Sequence, residues 1–263
     1  MIVLVGSTKA TTPPTESSNQ SGSTLVIPVH GDVEDGDLLV AATFVTAVSQ
    51  PGGWTDHFGS FGGFRIWSRL WSTGDPTSYT WTTGNAGSSR SGVMIVARGA
   101  QIGDKAIVDA AEGSPVKDCP TVTAGPNAGA VFLSFASVID TAVTAEEEFS
   151  ALAPMILQTQ HASDGSAALS FPFYTVAGVI EGLDADEVVS GQKWIHSGSG
   201  SHIDSRVASL ILDRILSEAP RETLCFTLKA ESALGFSADA TTALAFSFSV
   251  ESALGASLEW EAC

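Results

Sequence analysis

The chain has 263 residues, of which 44% are hydrophobic and 16% charged, and its formal net charge is −17. A chain of this length can bury a large core without disulfide or metal support. Its low charged fraction is typical of short strands joined by uncharged loops. The negative charge argues against bare nucleic acid and anionic membranes as partners, because both attract Lys and Arg. The acidic surface either keeps a hydrophobic β protein soluble or faces a cationic partner.

The three cysteines, Cys119, Cys225 and Cys263, are widely spaced and form no metal-binding or redox motif. They indicate synthesis in a reducing compartment. The N-terminal sequence MIVLVGSTKA lacks the basic leader and long apolar core of a secretory signal. No apolar run approaches the ~20 residues of a membrane span. We therefore expect synthesis in the cytoplasm, with later entry into an assembly that is released from the cell.

Short apolar segments separated by Gly, Pro and Asp turns run through the first 216 residues. Residues 7–23 are polar and predict a loop or arm, and residues 144–147 resemble a capping box that Pro154 would end, which leaves one short helix as an alternative there. The pattern predicts an antiparallel β-sandwich of the jelly-roll type over residues 1–216. The predicted strands cover residues 2–5, 24–29, 38–45, 64–71, 78–82, 93–98, 130–139, 167–173, 174–180 and 207–213.

An internal duplication is visible in the sandwich sequence. GDLLV at 36–40 is followed by TAV at 46–48, and GAVFL at 129–133 is followed by TAV at 141–143. Each half then ends in a strand followed by a basic residue, Arg98 or Arg214. The chain is therefore predicted to form two similar half-sheets that face each other.

Several strings in the first half carry a family resemblance. They are GDLLVAATFV, then PGGWT at 51–55, DPTSYTWT at 75–82, SGVMIVARGA at 91–100 and IVDAAEG at 107–113. Together they resemble a sandwich module of bacteriophage tail and virion proteins that also occurs in bacterial surface proteins. The resemblance covers roughly residues 20–215 and implies the fold, with no catalytic residues. The second half departs from it, since residues 146–149 replace the second Gly-Trp-Thr turn.

A ten-residue repeat follows a linker at 217–222 and occupies residues 223–263. The copies are SALGFS at 232–237, TALAFS at 242–247 and SALGAS at 252–257. After the Ser or Thr that opens each copy, the side chains at even positions are apolar, which is typical of a β-strand with one apolar face. We expect an oligomerisation or docking element, with a homotrimer as first choice. The turns at 231–232, 241–242 and 251–252 lack the Gly or Asn of tight hairpins, which favours intertwined chains over a meander. The predicted interface residues are Leu224, Phe226, Leu234, Phe236, Leu244, Phe246, Phe248, Leu254, Leu258 and Trp260.

Two groups of side chains have metal-ligand chemistry. His196, His202 and Asp204 lie in a Gly/Ser-rich segment and could converge on zinc. The simpler interpretation is an exposed loop. A second group offers oxygen ligands of the type that calcium prefers, but its spacing fits a turn that starts a strand better than an EF-hand. Its members are Asp32, Glu34, Asp35 and Asp37. We predict no metal and no cofactor.

Aromatic residues are dense between positions 54 and 81, and most are expected in the core. Trp67 and Trp71 share one face of a predicted strand with Arg65 and Arg69. They are therefore predicted to face outward and to be glycan-contacting candidates. The carboxylates at 146–148 could include a glycosidase acid, although a solvated edge explains them more simply. The chain has no GxSxG, HExxH or P-loop motif, and we predict that it is not an enzyme.

These observations predict a phage virion structural protein, most simply a minor tail or tail-tip component that acts in assembly and host attachment. Other virion proteins are then its partners, and a host surface glycan is a further candidate. One alternative is a capsid decoration or head-fibre protein. Another, from a different class, is a carbohydrate-binding surface adhesin. A hydrolase is the weakest alternative.

Overall fold

The computed structural model describes residues 2–10, 23–44, 48–59, 63–83, 90–110, 113–139, 149–162, 173–196, 204–215, 226–231 and 237–242. The protein is all-β, with antiparallel sheets in a sandwich-like arrangement and no helix in those ranges. The chain forms two compact units, Met1–Ile215 and Leu216–Cys263.

The first half of unit 1 contains eight strands in two sheets. The larger sheet, sheet I, has the order β1-β8-β3-β6-β5, and a three-stranded sheet has the order β2-β7-β4. The strands are β1 (Val3–Lys9), β2 (Ser23–Pro28), β3 (Leu38–Phe44), β4 (Val48–Ser49), β5 (Thr55–Asp56), β6 (Phe64–Leu70), β7 (Ser78–Thr83) and β8 (Ser91–Arg98).

The second half repeats this plan. Its five-stranded sheet, sheet II, has the order β14-β15-β12-β18-β9, and smaller sheets have the orders β10-β17-β13 and β11-β16. The strands are β9 (Ala100–Asp109), β10 (Val116–Asp118), β11 (Val122–Thr123), β12 (Ala130–Ile139), β13 (Phe149–Ala151), β14 (Ile156–Ala162), β15 (Phe173–Leu183), β16 (Val188–Val189), β17 (Lys193–His196) and β18 (Asp204–Arg214).

The two halves share one strand order. When β11 and β16 are set aside as additions, each half has eight strands, which can be counted from one to eight along the chain. In both halves strands one, eight, three and six form the large sheet in that order, and strands two, seven and four form the small one. This order is that of a jelly roll, which winds eight strands into two sheets. The difference from a regular jelly roll is that the fifth strand, β5 or β14, pairs in the large sheet.

Three apolar cores lie between four layers of sheet. Sheets I and II pack face to face on a central core that includes Val40, Phe64 and Ile95 from one side and Leu133 and Leu210 from the other. The outer face of each large sheet is covered by its own small sheet. Both faces of the central strands are therefore buried, and all seven residues of β3 are buried. This explains why β3 and β12 are continuous apolar runs rather than alternating ones.

The duplication differs at the start of the central strands. Leu38 pairs with Ala97 in the first half, and Val131 pairs with Leu212 at the matching position in the second. The residue that follows on the neighbouring strand, β8 or β18, is Arg98 in one half and Asp213 in the other. The two strands end at the basic residues Arg98 and Arg214, but in register Arg98 is matched by Asp213.

Unit 2 contains an antiparallel pair, β19 (Phe226–Glu231) and β20 (Ser237–Thr242). The two strands pair from Phe226 opposite Thr242 to Glu231 opposite Ser237. The turn expected at 241–242 is wrong, because Thr241 and Thr242 are both paired residues of β20. A repeat shows the period of a strand pattern but not where each strand ends, which explains the error.

Some predictions for unit 1 fall outside the described residues. Residues 144–148, where a short helix was an alternative, are among these, and Phe149–Ala151 is a strand. Strands β9, β14 and β17 were not predicted from the sequence. Each has few consecutive apolar residues, so the pattern that revealed the buried strands was absent there.

Candidate binding surfaces

The two predicted glycan-contacting tryptophans occupy different environments. Trp67 is fully buried, and its indole Nε1 donates a hydrogen bond to Thr43 Oγ1 at 2.8 Å. Trp71 is half-buried and packs against the same core under the sheet β2-β7-β4. The prediction that Trp67 faces outward is wrong, because the small sheet covers the face of sheet I that alternation would have left exposed.

The other aromatics of this region form the packing beneath the small sheet. The ring centroids of Trp54 lie 5.0 Å from Tyr79 and 5.2 Å from Trp81. The guanidinium of Arg69 lies 5.2 Å from the Tyr79 ring and pairs with Asp75. Burial raises the pKa of Tyr79 to about 12. These rings fill the space between two sheets and do not form an open stacking platform.

The acidic turn before β3 is held by one arginine. Asp37 is 1% exposed, and its two carboxylate oxygens accept hydrogen bonds from Arg98 at 2.9 and 3.0 Å. Arg98 also contacts Glu34 at 3.0 Å, and Asp35 accepts a hydrogen bond from the Thr73 amide at 2.8 Å. The side chain of Asp32 remains 86% exposed. Three of the four predicted calcium ligands, Glu34, Asp35 and Asp37, therefore already have partners within the protein, as expected for a turn that starts a strand.

Two members of the predicted histidine cluster, His196 and Asp204, are described, and each contacts side chains outside that cluster. His196 is 1% exposed and packs against the rings of Phe149 and Tyr174, with centroid distances of 4.7 and 5.4 Å. Asp204 pairs with Arg206 on the same strand, and His202 lies outside the described residues. Within the described ranges, no three His, Cys, Asp or Glu side chains group as metal ligands. The carboxylates at 146–148 also lie outside those ranges.

A Ser–His pair that the sequence did not reveal lies at the edge of sheet I. His57 Nε2 is 2.7 Å from Ser68 Oγ, and the His57 amide donates to the Ile66 carbonyl. The pKa of His57 is lowered, first by burial and then by Lys105, whereas Asp56 opposes the shift. Asp56 itself accepts hydrogen bonds from Arg65 and from the amides at 58 and 59. No carboxylate among the described residues therefore orients this imidazole, as a hydrolytic triad would require.

Two further groups of buried polar side chains lie within unit 1, one between the two halves and one inside the second half. Ser91 Oγ lies 3.1 Å from His161 Nδ1 and donates a hydrogen bond to the carbonyl oxygen of that histidine. Trp194 Nε1 donates to Ser134 Oγ at 3.0 Å, and Cys119 Sγ lies 3.3 Å from the same hydroxyl. Burial raises the pKa of the Cys119 thiol to about 11. These groups satisfy buried hydrogen bonds, and the thiol is too basic and too enclosed to be a reactive nucleophile.

One edge of sheet II has exposed apolar side chains. Leu152, Ile156 and Leu157 are 44%, 62% and 37% exposed, and the last two belong to the outermost strand, β14. A groove runs between β14 and β1, the adjacent edge strand of sheet I. Ser7 on β1 donates a hydrogen bond to the Gln158 carbonyl across it. This edge is the exposed surface of unit 1 that most resembles a protein-binding surface.

The sequence contained a signal for this edge that the strand prediction did not use. From Phe149 to Ile180 only Asp164 is charged, in a chain that is 16% charged. A stretch without charge is uncommon on the surface of an acidic protein. The predicted interface residues of the repeat are not tested, since only Phe226 falls within a described strand.

The fold therefore defines a class, a tandem jelly-roll protein with four layers of sheet. The chain matches no protein-family model, no curated protein and no solved structure. The described part of the chain has no helix with the length and apolar character needed to cross a membrane.

Proposed function

We propose that this chain is a structural protein of a bacteriophage virion, most simply a minor tail or tail-tip component that acts in assembly and host attachment. The observation that carries the proposal is the tandem jelly roll with one shared central core. Jelly rolls build viral capsids and carry lectin sites, so this support is an analogy at the level of the fold. The motifs that resemble phage sandwich modules lie on strands and turns of that fold.

The polar groups of the described residues support a structural role over a catalytic one. The Ser–His pair at His57 has no orienting carboxylate among the described residues, and the Ser91 and Ser134 hydroxyls take part in buried hydrogen bonds. The burial of Trp67 removes the observation that favoured a carbohydrate-binding adhesin. The same observations fit a head-fibre or capsid decoration protein, which would differ from a tail component only in its place on the particle.

The test is the location of the protein on purified particles. Antibodies raised against unit 1 should label one end of the tail in electron micrographs and should detect the protein in density-purified particles. Labelling of the capsid would replace the tail assignment with the decoration or head-fibre alternative. Absence from intact particles, with the protein present on the bacterial surface, would overturn the proposal.

The ten-residue repeat is proposed as the oligomerisation or docking element, with a homotrimer as first choice. Its even positions are apolar over almost forty residues, apart from Ser232, Thr242 and Ser252. Each large side chain contributes roughly 1.5–3 kcal/mol when buried. A short sheet with one apolar face needs a cover, which symmetric copies can supply.

Sedimentation tests the role of the repeat. Full-length protein should sediment as a trimer, and a chain ending at Ile215 should sediment as a smaller species. A monomeric full-length protein would contradict this part of the proposal without affecting the virion location.

A further inference from the structure

The four outer edges of the two large sheets differ in how they are protected. β5 has only two residues, β1 ends in the exposed Lys9, and β9 carries exposed charges at Asp104, Lys105 and Asp109. Short length and charge are the usual devices that stop an edge strand from pairing with another chain. β14 (ILQTQHA) has seven residues and no Asp, Glu, Lys or Arg.

The apolar side chains of β14 lie on both faces of sheet II. Ile156 pairs with Val179, which faces the central core, and Leu157 pairs with Gly178, which lies against Trp194 on the outer side. Both remain exposed because nothing in the described part of the chain continues the sheet beyond β14. An added strand would therefore cover apolar surface on both faces. It would pair with backbone groups of β14 other than the Gln158 and His161 carbonyls, which accept hydrogen bonds from Ser7 and Ser91 of sheet I.

The charge distribution identifies the partner. The molecule carries a net charge of −17, so copies of it repel one another over most of their surface. The segment from Phe149 to Ile180 holds one charged residue, where the chain average would place about five. Two copies can approach closely along β14, which carries no charged side chain, although Lys9 of β1 lines the adjacent groove. A two-fold axis places the same residues of both copies next to one another, and an uncharged strand can pair in this way without repulsion between like charges.

We propose that β14 pairs antiparallel with β14 of a second copy of this chain, joining two five-stranded sheets into one continuous sheet of ten strands. A two-fold axis beside Leu157 places Ile156 and Leu157 of one copy close to the same two residues of the other. One strand from each copy buries less than the roughly 800 Å² per partner of a standard interface, so the contact depends on protein concentration. It is separate from the contact proposed for the C-terminal repeat.

Local hydrogen exchange on the full-length protein tests the pairing. Amides of residues 156–162 should exchange several-fold more slowly when the protein concentration rises over about a hundredfold range. Amides of β9 should not change, and they serve as the internal control. The Ile156→Glu variant should lose the concentration dependence, because pairing would place two carboxylates side by side. The matched control is Val188→Glu, since Val188 is 59% exposed on β16, and it should behave as the wild type.

A charge-swap experiment separates a second copy from any other partner. Ile156→Lys alone should also lose the concentration dependence, and an equimolar mixture with Ile156→Glu should regain it. Thermal unfolding of each variant confirms that it is folded, and Leu157→Glu replaces any variant that is not. The proposal is overturned if exchange at β14 in folded wild type does not depend on concentration, or if the mixture is no better protected than either variant.

Discussion

Inside these sheets, two of the buried indole groups each donate a hydrogen bond to a single hydroxyl. Trp67 donates to Thr43 on β3, and Trp194 donates to Ser134 on β12, the central strands of the two large sheets. A buried N–H group that lacks an acceptor lowers the stability of the folded protein by roughly its desolvation free energy. An aliphatic side chain would fit at Thr43 or Ser134 but would remove this acceptor.

Replacing Thr43 by Val keeps the shape of the side chain and removes the acceptor of Trp67. Both residues are fully buried, so we expect the free energy of unfolding to fall by about 1–3 kcal/mol. Thr82→Val on the exposed face of β7 is the control and should change stability by less than about 0.5 kcal/mol. Equilibrium urea unfolding measures both. Equal effects of the two variants would show that the Trp67 hydrogen bond contributes little.

The His57 imidazole predicts a pH dependence of stability. Burial, and then Lys105, lower its pKa in the folded protein below the ordinary value of 6.5. As the pH falls below 6.5, the imidazole becomes protonated in the unfolded chain while it stays neutral in the folded protein. The stabilisation by the neutral imidazole is therefore lost as the pH falls from 6.5 toward the lowered pKa of the folded protein. It is fully present above 6.5.

The measurement is the difference in unfolding free energy between the wild type and His57→Gln from pH 8 to pH 5. This difference isolates the imidazole from the many carboxylates. The wild type should lose stability relative to the variant below pH 6.5. A difference that stays constant over this range would contradict the assigned environment of His57.

At the scale of elements, close packing between strands leaves some glycines no room for a side chain. A Cβ on Gly178 of β15 would lie 2.6 Å from the Trp194 ring and 3.0 Å from the Ile156 carbonyl oxygen. Both neighbours are held in place, one by the core and one by the backbone of β14. The glycine therefore sets the distance between β15 and the small sheet above it.

Gly178→Ala should destabilise unit 1 by about 1–3 kcal/mol, the usual cost of overpacking. Gly31→Ala is a matched control, because a Cβ there meets nothing within 4 Å. Thermal unfolding compares the two variants. If Gly178→Ala is as stable as Gly31→Ala, Trp194 must be able to move, and the packing of the small sheet is looser than described.

The element predictions succeeded where burial on both faces leaves a continuous apolar run. Strands β3, β8, β12 and β18 lie between two layers and were predicted within a few residues. β9 and β14 are edge strands with mixed polar sequences, and they were not predicted. The place of β9 comes from pairing with β18, which is distant in sequence, and that of β14 comes from pairing with the next strand, β15.

For the whole molecule, the central core couples the two halves. In the first half alone, seven Leu, Val, Ile and Phe side chains on the inner face of sheet I would lose their cover. Their burial is worth about 10–20 kcal/mol in sum, which is comparable with the entire stability of a typical domain. The seven are Leu38, Val40, Phe44, Phe64, Ile66, Val93 and Ile95.

We therefore expect a chain of residues 1–99 to be insoluble or molten, and a chain of residues 1–215 to unfold in one cooperative transition. Dye binding to exposed apolar surface and calorimetry distinguish the two states. A soluble first half that melts cooperatively would mean that each jelly roll folds alone and that the central core forms later by docking.

The sequence by itself determined that the protein is all-β, that its sandwich is duplicated and that a ten-residue repeat follows. These properties depend on side-chain periodicity and local turn residues, which a single sequence displays directly. Only the tertiary structure decided that Trp67 is covered, that Arg98 binds Asp37, and that β14 is left as an uncharged edge. Each of these depends on which strands become neighbours in space, and alternation along one strand does not specify what lies above either face.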